Sequence, residues 1–329
     1  MDESERSRLE LIAREVASEW GIVIGPAFLL SNYSYVAPVG SDAVLKIAWP
    51  HDDESIQEAD ALELWGGNGA ARLLRVDRSR RALLLERAQP GSDLATVAGP
   101  AATTIAVDVA RRLWRPAAAP FRWIGDHVPR WLEHAAPDSA AGRRLVEHAR
   151  ERFDRLNVDR GTLVHGDFHH HNILDAGSRY VAIDPKPMLG EPEFDVPPFL
   201  WNPLGSQMTQ EETELRLAAF AEVGLDERRM RAWALIRGAY LQVGDWVGGH
   251  AVDILEAMQP HQPPRHACGA SHGASRPRAP RTSRQCAARA VLLCRLGNHV
   301  DFAAALGVSR PGAEAVGHAS RVSEAARAS

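Results

Sequence analysis

The run HGDFHHHNIL, residues 165–174, constrains this chain more than any other stretch. It sets Asp167 and Asn172 in one short segment between apolar residues, and the strand-like YVAID that follows ends on Asp184. Far upstream, VLKIAW carries Lys46, one of only two lysines among 38 basic residues; the other is Lys186. A chain that writes nearly every positive charge as Arg keeps a lysine where shape and hydration matter, and a compact ammonium beside phosphates is one such place.

These residue types at these offsets point to phosphoryl transfer. An in-line transfer needs a carboxylate beside the attacking hydroxyl and oxygen ligands that hold Mg2+ across the nucleotide phosphates. Asp167 is the candidate base. Asn172 follows at the offset of the metal-binding Asn in the kinase pattern HRDxxxxN, and Asp184 closes its apolar run as the DFG aspartate does. Both offer the hard oxygen that Mg2+ takes. Lys46 would grip the nucleotide phosphates. A zinc cluster of His165, His169, His170 and His171 is the competing reading, but adjacent side chains diverge and zinc sites space their ligands. An isolated Asp167 would read as a loop residue making an Asx turn.

The run from HGDFHHHNIL through AIDPKPMLGEPEFD resembles the aminoglycoside/hydroxyurea antibiotic-resistance kinases, the streptomycin 6-kinase and hydroxyurea phosphotransferase branch of the aminoglycoside phosphotransferases. The resembling residues are Asp184, Pro185, Lys186 and Pro187, then Gly190, Glu191, Pro192 and Asp195. The resemblance implies an α+β, bilobal, protein-kinase-like fold: an N-terminal β-sheet lobe with one main helix, then a mostly helical C-terminal lobe. It implies ATP and Mg2+ as cofactors and a small hydroxyl compound as partner. It also favours Glu58, in the Glu-Ala-x-Ala-Leu segment, over Glu54 as the partner of Lys46.

Composition bounds the rest. The chain has 329 residues, room for more than one domain of about 100 to 200 residues. The expected division is 1–90 for nucleotide binding, 91–260 for catalysis and the acceptor, and 261–329 as a basic, disordered tail rich in Pro, Gly, Ser, Arg and Ala. The tail holds 10 Arg against 3 acidic residues, a net +7, and the remainder is at −11. Its Cys268, Cys286 and Cys294 fit no common zinc or redox spacing. The start MDESERSRLE is acidic and polar rather than a basic region before an apolar segment, and no stretch approaches the ~18 apolar residues of a membrane span. A cytoplasmic monomer with no membrane or nucleic-acid partner is expected. Neither lysine follows a glycine, which excludes a Walker A loop. Gly269 to Gly273 spell GxSxG, but without the strand and helix a nucleophile elbow requires. A non-catalytic kinase-shaped protein would have no chemical need of Lys46, Asp167, Asn172 and Asp184 together.

Along the chain, Leu9, Ile12 and Val16 at helical spacing predict an amphipathic helix over 4–19. AFLLSNYSYVAPVGSDAVLKIAWP predicts two strands, a turn and a third strand bearing Lys46. The phosphate-covering loop falls near Ser31 and Asn32, although no GxGxxG is present, and a plain hairpin turn fits equally. HDDESIQEADALELWGG predicts a helix carrying Glu54 and Glu58 on one face. A hairpin then leads to Glu86, Arg87 and Ala88, whose backbone would meet the adenine edge. Helices broken near 115–123, Pro129 and Pro137 follow, with Trp114, Trp123 and Trp131 as packing residues. Residues 196–210 predict a loop at the acceptor, and two helices over 209–247 its floor.

Of the two acceptors the resemblance implies, streptomycin carries two guanidinium groups and calls for carboxylates. Residues 196–210 contain none, and DWVGGH offers only Asp245. The small, uncharged hydroxyurea suits an apolar site shaped by Pro197, Pro198, Phe199 and Trp201. Glu191 and Glu193 are the carboxylates that would argue for streptomycin.

Overall fold

The computed structural model describes residues 3–28, 34–203 and 208–258. Ser31 and Asn32 lie outside them, as do the three cysteines, the GxSxG run and the 261–329 tail.

The first lobe begins with helix α1, Glu3–Trp20, whose Leu9, Ala13, Val16 and Ala17 are buried. Strands β1 (Ser34–Val39) and β2 (Ala43–Ala48) form an antiparallel hairpin with Val36 opposite Lys46. Helix α2 is Glu58–Trp65, closed by Gly66 at φ 58°, a left-handed cap that costs glycine little. Strands β3 (Leu73–Asp77) and β4 (Ala82–Glu86) complete a sheet of order β1-β2-β4-β3. The strand expected ahead of β1 is a single bridge, Ile24 to Val39, so Lys46 sits on the second strand and not the third.

Period two decides where Lys46 points. Leu45 and Ile47 pack with α1 in one apolar cluster, while Val44 belongs to the other cluster with Ala59, Leu62 and Trp65 of α2. Lys46 shares the face of Val44. A one-residue slip would turn the ammonium toward α1 and away from the cleft.

The second lobe is mostly helical. It comprises α3 (Gly99–Leu113), the short strands β5 (Arg115–Pro116) and β6 (Arg122–Trp123), α4 (Ile124–His134) and α5 (Ala140–Phe153). The break expected near Pro129 does not occur: the proline lies at the middle of the 11-residue helix α4, where it removes the one ladder bond its N–H would have made to the Gly125 carbonyl. Strand β7 (Thr162–Val164) enters the central loop, and β8 (Ile173–Asp175) and β9 (Tyr180–Ala182) form a hairpin after it. Strand β10 (Met188–Gly190) completes a sheet of order β5-β7-β10-β6.

Residues 196–200, expected as loop, form helix α6 (Val196–Leu200) with prolines in its first turn, where a missing N–H costs nothing. Helices α7 (Gln210–Glu222), α8 (Glu227–Tyr240), α9 (Val243–Trp246) and α10 (Gly249–Ala257) follow. The second of the two expected helices is divided because Gln242 takes φ 55° between α8 and α9. None of the described helices is long and apolar enough to cross a membrane.

Candidate active site

Two ammonium-centred clusters lie on the cleft between the lobes. In the first, the Lys46 Nζ donates to both oxygens of Glu58 at 2.7 and 2.8 Å and to Asp184 Oδ1 at 2.6 Å. Lys46 and Glu58 are 3% and 1% exposed, so each charge survives only through its partner. Burial works against the Lys46 ammonium, but Asp184 and then Glu58 outweigh it and hold the group above its ordinary range. The same burial pushes Glu58 up to about 7, with Lys46 pulling the other way. Asp184 is also desolvated, yet Lys46 and Lys186 hold it below the usual carboxylate range.

Asp184 has φ 55°, a left-handed conformation that Asp tolerates better than most residues. The turn it makes after β9 aims its carboxylate at Lys46, 138 residues away in sequence.

The second cluster is built on Asp167. Its Oδ2 accepts from Lys186 Nζ at 2.8 Å, and Glu54 Oε2 lies 3.7 Å from the same ammonium. Burial disfavours the charged Lys186, but Asp167, Glu54 and Asp184 together raise its affinity for the proton. The two glutamates expected on one helical face are therefore divided. Helix α2 starts at Glu58 and leaves Glu54 in the preceding turn, so one serves Lys46 and the other approaches Lys186.

The loop bearing Asp167 is strapped on every side. Asp195 accepts from the backbone amides of His165 and Gly166, both at 2.8 Å, and from Trp114 Nε1 at 3.0 Å. Arg237 donates to the Gly166 carbonyl at 2.9 Å and to that of Phe194 at 3.0 Å. Gly166, at φ 83°, has no room for a side chain: a Cβ there would overlap the Lys186 carbonyl oxygen. The Lys186 amide in turn donates to the His165 carbonyl at 2.8 Å, which brings the two chain segments together.

The four histidines serve different neighbours. Burial keeps His165 neutral, lowering its proton affinity. Its Nε2 lies 3.0 Å from the Ile183 carbonyl, which can only accept, so Nδ1 is free to take the Asp167 amide at 3.3 Å. His169 Nε2 lies 3.7 Å from Asp167 Oδ1. His170 stacks on Phe199 at 3.9 Å, and His171 meets Asp93 at 2.7 Å. Asn172 donates its Nδ2 to the Asp167 carbonyl at 2.9 Å, which turns its Oδ1 away from that loop.

Two cavities flank these clusters. One is a slot whose wall includes Lys46, Glu58, Glu86, Ala88 and Asp184, together with Val36, Val44, Leu85, Leu174 and Ile183. The amides of Glu86 and Arg87 are already spent on the Arg72 and Asp42 carbonyls. Of the three residues expected to offer backbone groups, Ala88 alone keeps an amide with no hydrogen bond among the described residues.

The other cavity has a free volume of about 70 Å3 and is walled by Asp167, Lys186, Glu54 and Arg122 at one side. Trp131, Pro198, Trp201, Asn202, Tyr240 and Trp246 form much of the rest. Of the helices expected to floor the acceptor site, α8 and α9 line this cavity and α7 does not. Trp131, expected to pack, faces this cavity and meets Tyr240 with ring centres 5.0 Å apart. Pro197 and Phe199 are buried but do not line it. Glu191 and Glu193 do not face it either. Glu191 holds Arg229 and Trp233 Nε1, and Glu193 accepts from the Asp226 amide at 3.0 Å. Asp245 approaches the Asp138 amide at 3.4 Å. Lys186 was conspicuous in the sequence for its rarity, but Glu54, Trp131, Asn202 and Tyr240 carry no sequence signal for this cavity.

The architecture is that of small-molecule kinases with a protein-kinase-like fold. A choline/ethanolamine kinase family protein from Mesorhizobium loti superposes with a TM-score of 0.53 at 16% identity, over 75% of this chain and 94% of that one. A thermostable mutant of the aminoglycoside phosphotransferase APH(4)-Ia, in a ternary complex with ADP and hygromycin B, gives 0.52 at 16% identity over 74% and 96%. A profile described as aminoglycoside/hydroxyurea antibiotic resistance kinase matches residues 27–246, and the chain belongs to that family. The hydroxyurea phosphotransferase of Kitasatospora aureofaciens is 36% identical over 241 residues, 68% of this chain and 69% of that protein. The streptomycin 6-kinase of Streptomyces glaucescens is 30% identical over 277 residues, 77% of this chain and 90% of that protein.

Proposed function

We propose that the chain is an ATP- and Mg2+-dependent O-phosphotransferase, a cytoplasmic monomer that inactivates hydroxyurea by phosphorylating its hydroxyl. The observation that carries this reading is the cavity beside Asp167, with a free volume of about 70 Å3. That is room for about five to seven waters, which suits a molecule with a handful of non-hydrogen atoms.

In this reading Asp167 orients the acceptor hydroxyl and takes its proton as the oxygen attacks the γ-phosphorus. The new O–P bond forms as the bond from the γ-phosphorus to the bridging oxygen breaks, and ADP leaves. Lys46, positioned by Glu58, grips the nucleotide phosphates, and the Ala88 amide meets the adenine edge. Ser31, Asn32 and the backbone of Glu86 complete the proposed nucleotide contacts. Lys186 neutralises Asp167 while the acceptor site is open and stands ready for the charge of the transferring group.

The donor set fits Mg2+. Asp184 keeps Oδ2 without a hydrogen bond among the described residues, and Asn172 spends only its amide nitrogen. These two residues would hold the ion, which when bound neutralises charge on the phosphate oxygens.

Glu54 supports a second reading, because a carboxylate on the cavity wall can pair a guanidinium, as streptomycin would require. A coupled assay of ADP release and phosphate transfer, offering hydroxyurea and streptomycin side by side, separates the two. Preferred transfer to hydroxyurea is expected. Preferred transfer to streptomycin would overturn the acceptor and leave the kinase chemistry in place.

A further inference from the structure

Asn202 presents an oxygen that the fold does not use. The residue is 1% exposed and lines the cavity beside Asp167. Its Nδ2 donates to the Pro198 carbonyl at 2.8 Å. A carbonyl can only accept, so the amide orientation is fixed and Oδ1 must face the other way. That Oδ1 is buried and has no hydrogen-bond partner among the described residues. Buried polar atoms are nearly always paired, so one left over in a residue that lines a cavity requires an explanation.

The surroundings make Asn202 a rigid element. Its own carbonyl, with those of Phe199 and Leu200, accepts from Arg216 Nη1, which lies buried behind α6. The cavity's cations do not supply the missing donor. Lys186 is turned to Asp167, Arg237 to the carbonyls of Gly166 and Phe194, and Arg122 to the Glu54 carbonyl and the Asp53 carboxylate. The unused group is a neutral acceptor, and what it can take is an N–H or O–H of whatever fills the cavity.

We propose that Asn202 Oδ1 accepts a hydrogen bond from an N–H of the acceptor molecule, so that Asn202 selects a urea- or guanidine-type nitrogen carried by the compound whose hydroxyl is phosphorylated. The proposal rests on the reading of this cavity as the acceptor site. The nitrogen and the hydroxyl are then read from different walls: Asp167 takes the hydroxyl, and Asn202 the nitrogen. An analogue without the terminal NH2 of the urea or guanidine group leaves the oxygen buried and unpaired, the situation in which a site discriminates most strongly.

The test compares hydroxyurea with acetohydroxamic acid, which keeps the N-hydroxyl and the carbonyl but carries methyl in place of the terminal NH2. The full chain should prefer hydroxyurea by about tenfold or more in kcat/KM. In Asn202→Leu, kcat/KM for hydroxyurea should fall about ten- to hundredfold, chiefly through KM, and the preference should collapse toward unity. The KM for ATP and ATP hydrolysis without acceptor should not change. Equal losses on both acceptors, a changed KM for ATP, or no preference in the unmodified chain would overturn the proposal. Should streptomycin alone accept phosphate, the hydroxyurea reading fails separately. Asn202 is then supported by about a tenfold rise in KM for streptomycin in Asn202→Leu and overturned by an unchanged KM. Transfer to neither N–H-bearing compound would overturn both.

Discussion

The two lysine centres use the same chemistry in different surroundings. The Lys46 side chain is 4% exposed and closed between Glu58 and Asp184; that of Lys186 is 29% exposed and faces a cavity with Asp167 and Glu54. Each ammonium has two carboxylates within reach. In the first centre strand β2 and helix α2 hold the two buried members, and Asp184, its side chain 39% exposed, meets them from the wall of the slot. The second joins a turn residue and two loop residues at the edge of an open space, so its partners can change when that space fills. Burial rather than the kind of ion pair distinguishes a fixed anchor from a movable charge.

The largest expected effect tests the movable centre. Asp167→Asn should lower kcat by about 10^2- to 10^4-fold, the range for a positioned proton acceptor, while nucleotide binding by calorimetry stays near the parent value. Turnover at the parent rate would remove Asp167 from the role of base. Asp184→Ala should abolish Mg2+-dependent nucleotide binding, and retained magnesium dependence would count against it as a ligand.

Stability should separate the two lysines. Lys46→Met strands Glu58 in the interior, and denaturant unfolding at pH 8 should show a loss of about 3–5 kcal/mol. Glu58 is already raised to about 7, and without the ammonium it rises further. A carboxyl whose folded value exceeds its unfolded one contributes stability at low pH that disappears as pH rises through the folded value. The Lys46→Met deficit should therefore shrink between pH 8 and pH 5. Lys186→Met should cost about 1 kcal/mol or less and act mainly on kcat. Equal losses for the two variants would erase the contrast.

A smaller effect concerns the loop that joins the centres. Burial lowers His170 to about 2 from an ordinary 6.5, so below pH 6.5 the unfolded chain binds a proton that the folded chain refuses. Stability should fall with pH from about 6.5 toward 2, by about 1.4 kcal/mol per unit for this imidazole alone. His170→Phe, which keeps an aromatic ring against Phe199, should flatten the dependence of Tm on pH between 7 and 5. An unchanged slope would assign the acid sensitivity to other groups. The smallest effect is expected from removing residues 261–329. Every described site residue precedes them, and kcat/KM should not change; a large loss would make the tail part of the catalytic unit.

Much of the site is local enough to be written in sequence. Asp167 and Asn172 are five residues apart in one loop, and Asp184 closes the strand that follows, so their spacing survives as a pattern that can be read without coordinates. Lys46 shows itself by rarity and by the alternation of β2. The carbonyl straps from Arg237 and the amide straps to Asp195 leave no such trace, because their partners are main-chain atoms that every residue possesses.

The sequence by itself determined the spacing of Asp167, Asn172 and Asp184, the order of sheet lobe and helical lobe, and the two lysines that needed a reason. Tertiary structure decided which glutamate meets which lysine: Glu54 and Glu58 share a helical spacing, but the chain becomes helical only at Glu58. It also brought Trp131, Asn202 and Tyr240 to one wall and turned Glu191 and Glu193 inward to Arg229 and Asp226. The physical reason is distance along the chain. Periodicity and motif spacing encode contacts within a turn or a hairpin, whereas the cavity beside Asp167 is made where α4, α6 and α8 meet, and only packing fixes which side chains line it.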